Sequence, residues 1–78
     1  MKTTYSEPTI MWRLRHSDGR VARAMLVPHG FGCSLVCWVN EVVEDAREYP
    51  DCEAGIQHAD RMRQQLITGG WSEDLTGD

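Results

Sequence analysis

Two groups of residues in this 78-residue chain have types and spacings that could do chemistry. The first is Arg13, Arg15 and Arg23, with Trp38 further along. Guanidinium groups hold phosphate and carboxylate through paired N–H bonds, and an indole beside them can stack a base. The second is Cys33, Cys37 and Cys52, with His29 and His58. Those side chains can ligate zinc. A cysteine at a helix start, or one beside a histidine, can also act as a nucleophile. The spacing argues against both uses. No C-x-x-C or H-x-x-x-H pair is present, and no third group is placed to orient a base. Cys37 and Cys52 read more simply as small buried apolar residues. The chain is therefore expected to be no enzyme, with no catalytic residue, no metal ligand and no cofactor.

The arginines matter because of the elements that carry them. Met11-Trp12-Arg13-Leu14-Arg15-His16 alternates apolar and basic residues, the period of a half-buried strand. Ser17-Asp18-Gly19 follows, then Arg20 to Val27, a second strand-like run. Asp-Gly between two such runs is a hairpin signal. A three-residue loop would set His16 opposite Arg20. Trp12, Leu14, Ala22, Ala24 and Leu26 would then share one face, and Arg13, Arg15, Arg23 and Met25 the other. A two-residue loop would slip the register by one and place Arg23 beside Leu14 and Trp12. The first register sorts apolar from basic residues more cleanly, although it sets Arg13 opposite Arg23, and like charges facing each other cost stability.

Pro28-His29-Gly30-Phe31-Gly32 is a turn by composition. Cys33 to Asn40 is β-rich and apolar on both sides, so it reads as a third, central strand. Either Leu35, Cys37 and Val39 or Val36 and Trp38 face inward; the pattern leaves both open. Residues 41–50 read as an acidic connection, with a short irregular strand or a helical turn within reach. Asp51 is placed to cap a helix, and Cys52, Ile56, Ala59, Met62 and Leu66 recur at helical spacing. Gly55 weakens that helix by about 1 kcal/mol relative to alanine, which a close approach to the sheet would explain. Gly69-Gly70 ends it, and Trp71 folds back on the core edge.

The expected fold is α+β: a three-stranded antiparallel β-meander followed by one C-terminal amphipathic α-helix packed on one sheet face. Its order of three strands and a helix resembles, in element order alone, the arm-type DNA-binding modules of tyrosine recombinases. Residues 1–78 make a single domain, with 1–9 and 72–78 expected as flexible tails. No apolar run is long enough to span a bilayer, and no apolar run follows Lys2 as a secretory signal would require. With an odd cysteine count this points to free thiols and a cytoplasmic location.

Net charge is −4, unevenly laid out. Residues 1–40 carry five basic side chains against two acids, and residues 41–78 carry three against ten. An acidic chain is repelled by phosphate, which disfavours nucleic acid as the partner. One helix covers only one face of a sheet, so the other exposes Arg13, Arg15, Arg23, Met25 and Trp38. The expected function is a small protein-interaction module, homodimeric or adaptor-like, working through that face. The alternative is weak nucleic-acid or anion binding by the same arginines.

Overall fold

Asp18 and Gly19 fix the first hairpin. In the computed structural model, which describes residues 7–30 and 32–74, Gly19 has φ +98°. Its N–H donates to the His16 carbonyl (2.9 Å), and the His16 N–H donates to the Arg20 carbonyl (2.9 Å). This is the three-residue loop. The Asp18 carboxylate accepts from the Arg20 N–H (3.0 Å) and from Arg20 Nε (2.8 Å). The backbone N–H of Arg20 is the main reason its carboxyl titrates below the usual range. β1 (Thr9–Arg15) and β2 (Val21–His29) then pair with Leu14 opposite Ala22, Arg13 opposite Arg23 and Trp12 opposite Ala24.

β3 (Gly32–Val39) pairs antiparallel with β2, with Ala24 opposite Cys37 and Leu26 opposite Leu35. Cys33, Leu35 and Cys37 thus turn inward and are buried. Ser34, Val36 and Trp38 alternate to the outer face.

Among the described residues the sheet has five strands, not three. β4 (Val42–Tyr49) follows β3, and β5 (Ser72–Glu73) adds to the far side of β1, giving the order β4-β3-β2-β1-β5. The acidic connection is therefore a full strand, which departs from a three-strand-plus-helix plan. Asn40 (φ +51°) and Glu41 (φ +69°) make a tight turn between Val39 and Val42, both in the left-handed conformation that two-residue hairpins need. Asn40 secures it: its N–H donates to the Val21 carbonyl (2.9 Å), and its Oδ1 accepts from the Val21 N–H (3.1 Å). Glu44 is an extra residue in β4, since Trp38 lies opposite Val43 and Cys37 opposite Asp45. Thr9 already belongs to β1, and residues 1–6 and 75–78 lie outside the described residues.

α1 (Cys52–Thr68) lies across the inner face. Asp51 caps it, accepting from the Ala54 N–H (2.8 Å). At its end Gly70 (φ +108°) turns the chain back, so that the Trp71 N–H reaches the Leu66 carbonyl (3.0 Å). Trp71 is buried beside His16, and the Arg20 guanidinium lies over its ring at 5.1 Å.

Helix and sheet meet closely because the contact residues are small. Ala22, Ala24 and Ala59 are buried, and a Cβ on Gly55 would come 2.8 Å from Leu26 Cδ1. Trp12 donates from Nε1 to the Ala59 carbonyl (2.8 Å), so this large core side chain is also satisfied in its polar atom. Trp12, Leu14, Ala24, Leu26 and Ala59 are buried as the pattern implies, whereas Ile56, Met62 and Leu66 are only partly enclosed. Leu66→Ala is accordingly expected to cost about 1–2 kcal/mol in chemical denaturation, roughly half the loss for an enclosed leucine.

Candidate functional site

The face of the sheet that α1 does not cover holds every residue that the sequence pattern placed there. Strand alternation and antiparallel register set Arg13, Arg23, Trp38 and Val43 side by side across β1 to β4. Ile10, Met25, Val36 and Ala46 form the next row. Arg15 and Val21 lie on one side of these rows, and Val27, Ser34 and Glu48 on the other. Apolar side chains at the centre are half-buried by their neighbours, while Ile10 and Val43 are 40% and 53% exposed.

Arg13 and Arg23 face each other, and the structure relieves only one of them. The Arg23 guanidinium lies over the Trp38 ring at 4.8 Å, and its Nη2 donates to Glu41 Oε1 at 3.1 Å. A cation over an indole face is attracted by the ring quadrupole. Arg15 sits 3.6 Å from Asp74 Oδ1, a carboxylate that is almost fully enclosed. The Asp74 N–H in turn donates to the Arg13 carbonyl (2.9 Å). Arg13 itself has no ion-pair partner among the described residues. An open depression of about 430 Å³ lies between Arg13, Arg23, Trp38, Asn40, Glu41 and Asp74. Its chemistry is mixed. It offers one uncommitted guanidinium and one aromatic wall, with two carboxylates at the rim.

Asn40, Glu41, Val43 and Asp74 belong to this face and are missing from the sequence-based set. Their places follow from β4 and from the return after α1, neither of which alternates in hydropathy.

The cysteines and histidines are spent elsewhere. Cys33 and Cys52 form a disulfide, with Cα atoms 5.1 Å apart. This overturns the expectation of three free thiols, and with it a ground for the cytoplasmic assignment. The bridge follows from β4: Tyr49 lies opposite Cys33, and Pro50-Asp51 leads straight into α1 at Cys52. Cys37 is the free cysteine, buried, with Sγ 3.9 Å from Met62 Sδ. Burial, aided by Asp45, pushes its thiol up to about 11, so it is protonated and inert at neutral pH. His58 Nδ1 is hydrogen-bonded to the Tyr49 hydroxyl, and His29 Nε2 lies 2.9 Å from Ser34 Oγ. Burial also raises the Tyr49 hydroxyl above its ordinary range. Among the described residues no three His, Cys, Asp or Glu side chains gather as metal ligands.

Thiol counting checks this arrangement. The folded, unreduced protein is expected to resist alkylation at neutral pH. Unfolding without reductant is expected to expose one thiol, and unfolding with reductant three.

No helix among the described residues is long and apolar enough to cross a membrane. Compared with protein-family models, with curated proteins and with solved structures, the chain gives no match.

Proposed function

We propose that this chain is a non-enzymatic protein-interaction module whose working surface is the face of the sheet turned away from α1. One observation carries the reading: Ile10, Met25, Val36, Trp38 and Val43 make a continuous apolar strip that α1 does not cover, flanked by arginines. Apolar, aromatic and arginine side chains together are the composition of interface centres. The alternative, anion binding, has its own support in the uncommitted guanidinium of Arg13, which lines the same depression as Trp38. Glu41 and Asp74 at the same depression oppose a polyanion such as nucleic acid.

A photoreactive phenylalanine analogue at position 25, with Gln57 on the exposed side of α1 as control, tests the reading. Protein adducts are expected from position 25 and not from position 57. Adduct-free protein from position 25, correctly folded by circular dichroism, would sink it. Binding of a single-stranded oligonucleotide that collapses with added salt would favour the alternative instead.

A further inference from the structure

We infer that the occupant of this face is a second copy of the same chain, held by a two-fold axis that runs along the strands and sets Arg13 of each copy over Glu44 of the other. The inference rests on the interaction reading above and names its partner.

The argument begins with charge. Across the outer face, the β1–β2 side carries Arg13, Arg15 and Arg23, and the β4 side carries Glu44 in the bulge and Glu48 opposite Ser34. Most charges here are satisfied within the chain: Arg23 by Glu41 and Arg15 by Asp74. Arg13 on one side, and Glu44 and Glu48 on the other, have no ion-pair partner among the described residues. The face is therefore its own electrostatic complement, which is what a symmetric interface between identical surfaces requires.

Symmetry then selects the packing. Two identical sheets can stack face to face about an axis across the strands or along them. The first lays β1 on β1 and brings arginines against arginines. The second exchanges β1 with β4. Because Arg13, Arg23, Trp38 and Val43 lie at one level, it carries Arg13 over Val43 and Glu44 of the second copy. The axis then passes between β2 and β3, so Met25 of one copy meets Val36 of the other at a dry centre. Each Trp38 lies near Arg23 of the opposite sheet. Aligned sheets pack this way at about 10 Å separation, with modest rotation from their twist.

The edges of the sheet are poor alternatives. β5 covers β1 at Leu14 and Arg15, and β4 carries a bulge and four charged residues. Short covers, bulges and charges are the devices that stop edge pairing. The size of the face sets the strength. Four strands about 4.8 Å apart and roughly eight residues long bury on the order of 500 Å² per copy, about 1,000 Å² in all. That lies near the lower bound for a specific interface, so dissociation is expected on the order of micromolar.

Sedimentation equilibrium from low to high micromolar concentration tests this. The apparent mass is expected to climb from 8.9 kDa toward twice that value. Arg13→Glu and Glu44→Arg are each expected to raise the dissociation constant about tenfold, and the double reversal to restore it to within about threefold of the original. Met25→Glu, folded by circular dichroism, is expected to be monomeric. A chain that stays at 8.9 kDa throughout overturns the inference, as does a double reversal no tighter than the single variants. The position-25 adduct separates the two proposals. A chain cross-linked to itself supports both, a different protein overturns the second copy alone, and no adduct overturns both.

Discussion

Leu26→Ala is expected to lower the melting temperature by roughly 15–30 °C, corresponding to a loss of about 4 kcal/mol. Leu26 is fully buried near the centre of β2, where Gly55 of the helix lies close against it. The cost of such a truncation depends on whether the surroundings can close over the void. Two of its neighbours, Ala24 beside it and Gly55 above it, have little side chain to move in, which limits how far the void can close. A domain of 78 residues holds only about 4–12 kcal/mol in all, so the variant stands near the edge of folding. A second change makes the argument specific. In the wild type a methyl at position 55 would press on Leu26 Cδ1, but in Leu26→Ala that space is vacant. Adding Gly55→Ala is expected to recover about 1–2 kcal/mol, partly by filling and partly by helix propensity. If Leu26→Ala melts within a few degrees of Leu66→Ala, the tight contact between α1 and β2 is wrong.

Reduction of the Cys33–Cys52 bridge is expected to cost about 3 kcal/mol, a fall in melting temperature of roughly 10–25 °C. The two cysteines are 19 residues apart, and a cross-link of that span removes a corresponding share of the unfolded chain's freedom. Thermal melts with and without reductant give the difference directly. Cys52→Ala is expected to match the reduced wild type and to be indifferent to reductant. A melt that reductant leaves unchanged, in protein whose three thiols are then all titratable, would show that the bridge adds no stability.

The sequence and the structure agree where local chemistry decides. The Asp18-Gly19 turn, the alternation on either side of it and the Asp51 cap are each encoded within a few residues. That is why the first hairpin register could be preferred over its one-residue slip and Arg13, Arg15, Arg23 and Met25 set on one face, whereas the side of Trp38 stayed open until its pairing with Arg23 decided it. The fourth strand could not, for two reasons. Its turn, Asn40-Glu41, lacks the glycine that advertises a tight hairpin, and Glu41 takes a left-handed conformation that side chains ordinarily avoid. As an edge strand it is mostly exposed on both faces, so Glu44, Asp45, Ala46, Arg47 and Glu48 leave no alternation to detect. The disulfide was hidden for the same cause, since only β4 returns the chain to Cys33. β5 is two residues long and owes its place to Trp71 and to the partnership of Arg63 Nε with Glu73 Oε2 at 2.6 Å, both long-range facts. In the site, the basic members were therefore legible, and the acids that neutralise two of them, Glu41 and Asp74, were not.

The bridge between Cys33 and Cys52 has a further consequence, one of connectivity. β3 from Cys33 onward, its turn and all of β4 lie inside a covalently closed ring. A protease that cuts within it, at Arg47 for example, opens the ring without dividing the molecule. The two pieces stay joined through sulfur, and the hydrogen bonds that pair β4 with β3 hold the cut ends beside each other. The outward edge of the sheet, the part of the fold most open to attack, is thus the part whose cleavage does not release a fragment until the bridge is reduced.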